Sequence, residues 1–117
     1  MDSLRNVVRK IKIYGNDYWE FYHAQNSKVK ERINWTINLI LTTSIIPEKY
    51  FKHIEGQEGL YEIRISAGSN IFRIFCFFDA GNLIIVLNGF QKKTQKTPKK
   101  EIERAVKLKK DYYEQKQ

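Results

Sequence analysis

The first third of the chain has the hydrophobic pattern of one strand followed by two helices. Residues 7–14 end in an alternation of isoleucine and lysine, which is typical of a strand with one solvated face. Asp17 and Glu20 then have the spacing of a capping box, in which the first acid binds free N–H groups at a helix start. Ser27 can cap a second helix, which we expect to end near Thr43. Its apolar residues recur every three or four positions, as Val29, Ile33, Ile37, Ile40 and Leu41.

The middle of the chain predicts a meander of three strands. Leu60–Ser66 alternates strictly between apolar and other residues, and Ile71–Phe78 is apolar except for Arg73. Leu83–Leu87 is apolar on both faces, which indicates a central strand. Asn88-Gly89 resembles a hairpin turn, but no alternating strand follows it. We therefore interpret it as a strand end or a bulge.

The C-terminal segment predicts a third helix. Thr97-Pro98 is a strong helix start, because threonine can cap a helix and proline suits its first turn. Ile102, Ala105 and Val106 then form a narrow apolar face, and most of the remaining surface is cationic. The predicted order of elements is β-α-α-β-β-β-α, which is an α+β fold.

Length and composition predict one domain over residues 1–117. Cys76 is the only cysteine and cannot form an internal disulfide, and two histidines with one cysteine are too few ligands for a structural zinc site. No apolar run approaches the roughly 20 residues of a membrane span. The N-terminus lacks the apolar region of a signal peptide, so we expect a cytoplasmic protein.

Positive charge is concentrated in one segment. Residues 91–110 contain nine Lys or Arg and two acids, which gives +7 of the chain's net charge of +8. A phosphate backbone is the most common large partner of such a segment. Lys92, Lys93 and Lys96 precede a helix start, where free N–H groups add partial positive charge and favour anions. The alternative is a solvated run of charge.

Arg73 is the one charged residue of an apolar strand. A buried charge is costly unless it is paired or bound to a ligand. Arg73 is therefore either a structural residue, paired with Glu62 or Asp79, or a functional one. Arg64 lies on the polar face of the preceding strand and, alone, would be a solvated residue. Two guanidinium groups on one sheet face could hold a phosphate bidentately and stabilise its developing negative charge.

Few other residues suit acid–base or nucleophilic chemistry. His53 is the nearest candidate for acid–base work, although a single histidine in a loop is more often incidental. The sequence has no Ser/His/Asp arrangement and no phosphate-cradling glycine loop. Any catalysis would therefore depend on cations rather than on paired carboxylates.

Three ordered motifs resemble those of a known protein family. They are Gly59-Leu60-Tyr61-Glu62-Ile63-Arg64, then Arg73-Ile74-Phe75 with Phe77-Phe78-Asp79, then Leu87–Pro98 with Glu101-Ile102-Glu103-Arg104-Ala105. Together they look like a HigB-like toxin of the RelE/ParE superfamily of bacterial type II toxin–antitoxin systems, most densely over residues 56–106. The resemblance implies a RelE-like fold: a small antiparallel sheet of about four strands, two N-terminal helices packed on one face, and a basic C-terminal helix.

The resemblance also implies an mRNA interferase that acts on the translating ribosome without a metal or another cofactor. In such enzymes the ribose 2′-hydroxyl attacks the adjacent phosphate and leaves a 2′,3′-cyclic phosphate. Arg64 and Arg73 match strand positions that bind the phosphate and stabilise the transition state. Lys92 and Lys93 match a basic pair after the last strand. The implied partner is a helix-turn-helix antitoxin of the HigA-like kind. The residues expected to bind RNA or the ribosome are Lys96, Lys99, Lys100, Arg104 and His53.

One departure from the family leaves the general base unassigned. Some relatives carry a tyrosine or histidine for acid–base chemistry in the C-terminal segment, whereas residues 96–102 contain neither. A lysine with a lowered pKa is one hypothesis. Two other functions remain open: a ParE-like gyrase poison on the same fold, and a non-catalytic RNA-binding module.

Overall fold

A mixed five-stranded sheet lies between helices on both of its faces. The computed structural model describes residues 7–116. The strands follow the order β1-β5-β4-β3-β2 across the sheet, where β1 runs parallel to β5 and all other neighbours are antiparallel. The elements in chain order are β1 (Lys10–Ile13), α1 (Asp17–His23), α2 (Ser27–Thr42), β2 (Phe51–His53), β3 (Tyr61–Ala67), β4 (Asn70–Phe78), β5 (Leu83–Lys92) and α3 (Lys99–Lys116).

The α+β class and the order of the predicted elements are confirmed, but the sheet differs from the prediction in two respects. It has five strands rather than about four, because β2 forms within residues 47–59, where the sequence pattern predicts a connector between the second helix and the meander. β2 has only three residues, which is too short for an alternating pattern to be visible. The sheet is also mixed rather than antiparallel, since β1 pairs with β5 instead of with a neighbour in sequence.

Alternation along the strands divides the core into two layers. On one face, Ile63 of β3 and Ile74 of β4 pack with Ile33 of α2 and with Tyr18 of α1. On the other face, Phe75 and Phe77 of β4 pack with Ala105, Leu108 and Tyr112 of α3. The two N-terminal helices therefore cover one face, as the resemblance implied, and α3 covers the opposite one.

β5 is longer than the predicted strand and continues through Asn88-Gly89 to Lys92. Ile74 pairs with Gly89, whereas Cys76 pairs with Val86, so β5 contains one extra residue at this point. The bulge reading of Asn88-Gly89 is thus the correct one. A bulge shifts the side-chain alternation by one residue. After the bulge, the residues of β5 that face each side of the sheet are therefore shifted by one position relative to the first part of the strand.

Gly89 is required where the bulge approaches α1. A Cβ atom added to Gly89 would lie 2.5 Å from Cδ2 of Phe21, which is closer than side chains normally approach. Phe21 in turn packs near Phe72 of β4, with ring centroids 6.1 Å apart. The missing side chain at Gly89 therefore allows α1 to lie directly on β5.

Two side chains at helix starts have roles that differ from the predictions. α1 begins at Asp17, but Asp17 does not cap it. Its carboxylate instead accepts two hydrogen bonds from Arg104 of α3, at 2.7 and 3.0 Å. α2 is capped by Asn26 rather than by Ser27, since the Asn26 side chain accepts from the N–H group of Val29.

Cys76 is fully buried, as its apolar surroundings in the sequence indicated. Burial raises the pKa of its thiol, so the side chain is a core residue rather than a reactive group. Within residues 7–116, every helix is too short or too polar to cross a membrane.

Candidate active site

Arg64 and Arg73 are paired directly across β3 and β4. Like charges at opposite positions of a sheet repel, so the pair needs an anion nearby. Glu62 provides one, because its carboxylate oxygens lie 3.4 Å from Nε of Arg64 and 3.7 Å from Nε of Arg73. The sequence left Glu62 and Asp79 as alternative partners for Arg73, and in the structure the partner is Glu62. Asp79 instead accepts hydrogen bonds from Tyr112 and Lys116 of α3.

The guanidinium group of Arg73 is largely removed from solvent. The residue is 6% exposed, and its Nη1 donates to the carbonyl oxygen of Phe72 at 3.1 Å. Burial lowers the pKa of Arg73, the Glu62 carboxylate opposes this, and Arg64 adds to it. The Nε atoms of both arginines are buried without a hydrogen-bond partner among residues 7–116. Buried unsatisfied donors are rare and costly, so the adjacent Glu62 carboxylate balances the charge of these two groups without satisfying their hydrogen bonds.

A cavity of about 350 Å³, here called the arginine cavity, opens beside the pair. Besides the two strand arginines it is lined by Arg32 of α2 and by Lys49 and Tyr50 of the connector before β2. Four cationic residues therefore border one space, and none of the described residues that line it is acidic. The opening exists because β2 is short: it pairs only with the first part of β3, and the N–H group of Arg64 bonds to the carbonyl of Tyr50 instead.

The sequence pattern did not predict Arg32 and Lys49 as site residues. Arg32 lies on the second helix and Lys49 in a connector, and neither belongs to a motif. They reach the arginine cavity through tertiary structure, because α2 and the connector both pass the end of β3 that β2 leaves open. The sequence contains one indication of Arg32, which is a cation directly beside the buried Ile33 in the apolar stripe of its helix.

The bulge in β5 sets the direction of Lys92. Phe90 is opposite Arg73 and Lys92 is opposite Ile71 in the ladder between β4 and β5. Because opposite residues share a sheet face, Lys92 lies on the same face as Arg64 and Arg73. Without the extra residue, Gln91 would take this face in its place. Lys92 lies beside the arginine cavity rather than in its lining.

The other predicted site residues are more dispersed. Lys93 and Lys96 are exposed after the end of β5, and Lys99 and Lys100 are exposed in the first turn of α3. These four lysines form a solvated basic run that leads away from the strand. The run follows Lys92 directly in sequence, and Lys92 is the residue that lies beside the arginine cavity.

His53 and Arg104 lie apart from the arginine pair. His53 packs edge-on against Tyr61 at 5.2 Å, and Tyr61 belongs to the face that α1 and α2 cover. His53 is thus on the opposite side of the sheet from Arg73. Arg104 is held by Asp17, so its guanidinium group connects α3 to α1.

The arrangement is suited to bind a phosphodiester and to stabilise added negative charge on it. Guanidinium groups form charge-assisted, often bidentate hydrogen bonds with phosphate oxygens. A buried and pre-positioned guanidinium needs little reorganisation when that charge increases. Within residues 7–116, no group of three or more His, Cys, Asp and Glu side chains could hold a metal ion.

Comparison with known proteins identifies a family for this arrangement. The family model described as phage-derived protein Gp49-like (DUF891) matches residues 20–110, from α1 to α3. No curated protein shows a significant match to the chain. Because the family model spans most of the chain, including both strand arginines and the basic run, the chain belongs to the Gp49-like family, a RelE/HigB-like toxin family of toxin–antitoxin systems.

Proposed function

We propose that the protein is the toxin of a type II toxin–antitoxin system and that it cleaves mRNA on the translating ribosome. The observation that best supports this is the Arg64–Arg73 pair, which borders a cavity together with Arg32 and Lys49. This density of cations, which ranges from the buried Arg73 to the exposed Lys49, suits a scissile phosphodiester. The Gp49-like family supports the toxin part of the proposal.

The proposed reaction is a transesterification within the RNA. The 2′-hydroxyl gives its proton to a base, the ribose 2′-oxygen bonds to phosphorus, and the bond from phosphorus to the 5′-oxygen breaks. The departing 5′-oxygen takes up a proton from solvent, so the products are a 2′,3′-cyclic phosphate and a 5′-hydroxyl. Negative charge on the non-bridging oxygens increases in the transition state. Arg73, which is the more buried and fixed of the two arginines, would stabilise that charge together with Arg64.

Two candidates exist for the general base that removes the 2′-hydroxyl proton. One is a lysine among Lys92, Lys93 and Lys96. The other is Glu62, which is the carboxylate closest to both guanidinium groups. Geometry favours Glu62 and Lys92 over the two exposed lysines, because a base must reach the proton that it removes.

The basic run after β5 is proposed to bind the RNA backbone or the ribosome. Lys93, Lys96, Lys99 and Lys100 are solvated, which suits salt-dependent contacts with phosphates. Arg104 is less available, since Asp17 occupies its guanidinium group. His53 would contact RNA only away from the arginine cavity.

The proposed partner is a helix-turn-helix antitoxin of the HigA-like kind, because a toxin–antitoxin family implies an antitoxin. The proposed site of action is the cytoplasm, where translating ribosomes are found. The antitoxin would neutralise the toxin until the antitoxin is degraded or diluted. An antitoxin that covered the arginine cavity and the basic run would keep RNA from binding there and so inhibit the toxin.

Induced expression followed by sequencing of RNA 5′ ends tests the function. We expect growth arrest, new 5′-hydroxyl ends in register with codons, and loss of both with an Arg73→Ala variant that still folds. Gyrase-dependent DNA breaks without RNA cuts would instead support a ParE-like poison. Salt-sensitive RNA binding without any product would support a non-catalytic binding module.

A further inference from the structure

We infer that a groove beside the arginine cavity is a binding subsite for a nucleobase of the cleaved RNA strand, and this inference rests on the proposed function. The groove, here called the Trp35 groove, has a volume of about 660 Å³ and lies between the start of α2 and the turn that joins β3 to β4. Its lining includes Val29, Arg32, Trp35, Ser66, Ala67 and Asn70.

The Trp35 groove adjoins the arginine cavity. Arg32 and Ser66 line both spaces. The guanidinium carbon of Arg32 lies 4.3 Å from the centre of the Trp35 ring, and its Nε donates to the carbonyl oxygen of Ser66 at 3.2 Å. Trp35 also packs edge-on against Tyr50, which lines the arginine cavity, with ring centroids 5.5 Å apart. A wall of aromatic rings and cations thus runs from one space into the other.

The exposure of Trp35 indicates what this wall binds. Trp35 is 45% exposed, although the apolar stripe of the same helix is buried at Val29, Ile33 and Ile40. Single-stranded RNA is recognised by stacking its bases on aromatic rings and on arginine planes. An RNA strand whose phosphate lies in the arginine cavity, which Arg32 also lines, would place the attached base in the Trp35 groove by passing the open edge of β3.

The polar groups of the groove also fit a base better than an apolar protein segment. Lys28 and Arg32 give its lining a net positive charge against Glu31, which complements RNA. Asn70 borders the groove and offers a side-chain amide that can hydrogen-bond to the edge of a base. The volume of the groove lies within the range of small-molecule sites, which is roughly 300–1,000 Å³.

Tryptophan fluorescence tests the inference without requiring cleavage, because the chain has two tryptophans. Trp19 on α1 is 42% exposed and serves as a matched control for Trp35. The Trp19→Phe variant leaves Trp35 as the only reporter, and Trp35→Phe leaves Trp19. The probe is a short single-stranded oligonucleotide with 2′-O-methyl sugars, which cannot undergo attack by a 2′-hydroxyl. We expect it to quench Trp35 and to leave Trp19 unchanged.

The same oligonucleotide without one base measures the contribution of stacking. We expect the abasic probe to bind the Trp19→Phe protein about tenfold more weakly, since a stacked base contributes about 1–3 kcal/mol. In the sequencing experiment, Trp35→Ala should relax the base preference at one position beside the cut, whereas Trp19→Ala should not. Thermal melting of Trp35→Ala shows whether the variant is folded.

The outcomes separate the two proposals. If wild-type protein cuts RNA but Trp35 is not quenched and Trp35→Ala keeps the wild-type base preference, the subsite is wrong and the nuclease stands. If no RNA is cut but Trp35 is quenched more strongly by the intact probe than by the abasic one, the nuclease is wrong and the base-binding subsite stands. A Trp35 signal that responds to the antitoxin but not to the oligonucleotide would overturn the subsite and identify the groove as a protein interface.

Discussion

Arg64 and Arg73 stand opposite each other on β3 and β4, and the Glu62 carboxylate lies within 3.7 Å of Nε in both side chains. Two adjacent cations are thus held in place in the free protein by one anion. A bound phosphate would supply further negative charge to the same guanidinium groups. The site therefore needs little rearrangement to bind an anion, which is the condition for strong electrostatic stabilisation of a transition state.

Replacing Arg73 by lysine tests whether the guanidinium shape matters as well as the charge. Lysine keeps the charge but cannot bind a phosphate bidentately. We expect the rate of cleavage on programmed ribosomes to fall about 100-fold or more. Arg104→Lys is a matched control on α3 and should retain nearly the wild-type rate. Equal rates for Arg73→Lys and wild type would contradict the role assigned to Arg73.

The direction that the bulge gives to Lys92 predicts unequal effects in the basic run. We expect Lys92→Met to lower the single-turnover rate at least tenfold, because Lys92 shares a sheet face with the arginines. Lys93→Met and Lys96→Met should weaken binding in a salt-dependent way and leave the single-turnover rate at saturation nearly unchanged. Wild-type rates for all three variants would exclude a lysine as the general base.

The pH dependence of Glu62→Gln distinguishes a base from a positioning residue. If Glu62 removes the 2′-hydroxyl proton, the wild-type rate should rise with pH on the acid side, and Glu62→Gln should lose that rise along with about 100-fold in rate. If Glu62 only holds the arginines, the variant is slower but keeps the acid limb. An unchanged rate and an unchanged profile would show that neither role applies.

The ion pair between Asp17 and Arg104 should contribute to stability in a pH-dependent way. Their hydrogen bonds lower the pKa of Asp17 below its usual 3.8. A lowered folded pKa means that the contribution is complete above the unfolded pKa and is lost as pH falls through the folded one. At neutral pH we expect Asp17→Asn to reduce the free energy of unfolding by about 0.5–1 kcal/mol, because the pair is partly exposed.

Urea unfolding at pH 7 and below pH 3 measures this contribution. The difference between wild type and Asp17→Asn should be present at pH 7 and should close in acid. Arg104→Ala and the double variant complete a thermodynamic cycle. A difference that persists unchanged in acid would mean that Asp17 stabilises the fold by something other than its charge.

Gly89→Ala tests the close approach of α1 to the bulge. The added methyl group would meet the Phe21 ring at 2.5 Å, so we expect a loss of about 1–3 kcal/mol in the free energy of unfolding. Phe21→Leu shortens the opposing side chain, and the double variant should recover part of the loss. Strictly additive losses would show that Phe21 is not the group that excludes a side chain at Gly89.

The sequence was most informative where a strand has an uninterrupted period. β3 and β4 were predicted within one residue at either end, and the faces of Arg64 and Arg73 followed from alternation. The extent of β5 could not be predicted in the same way, because the bulge at Asn88-Gly89 changes the phase of its alternation. β2 was missed because three residues carry no periodic signal.

The candidate site was predictable in part for the same reason. Arg64 and Arg73 lie on regular strands, so their common face could be inferred. Arg32 and Lys49 enter the arginine cavity only through tertiary packing, which no local pattern encodes. Asp17 had the spacing of a helix cap, but the stronger charge-assisted bonds with Arg104 determine where its carboxylate lies.

The parallel pairing of β1 with β5 affects when this fold can form during synthesis of the chain. Lys10 pairs with Leu83, so the first strand waits for its neighbour until most of the chain has been translated. Arg73 and Lys92 are also made late, and the half of the core beneath α3 cannot close before the last helix leaves the exit tunnel. The arginine pair therefore reaches its final surroundings only after β5 and α3 have both been made.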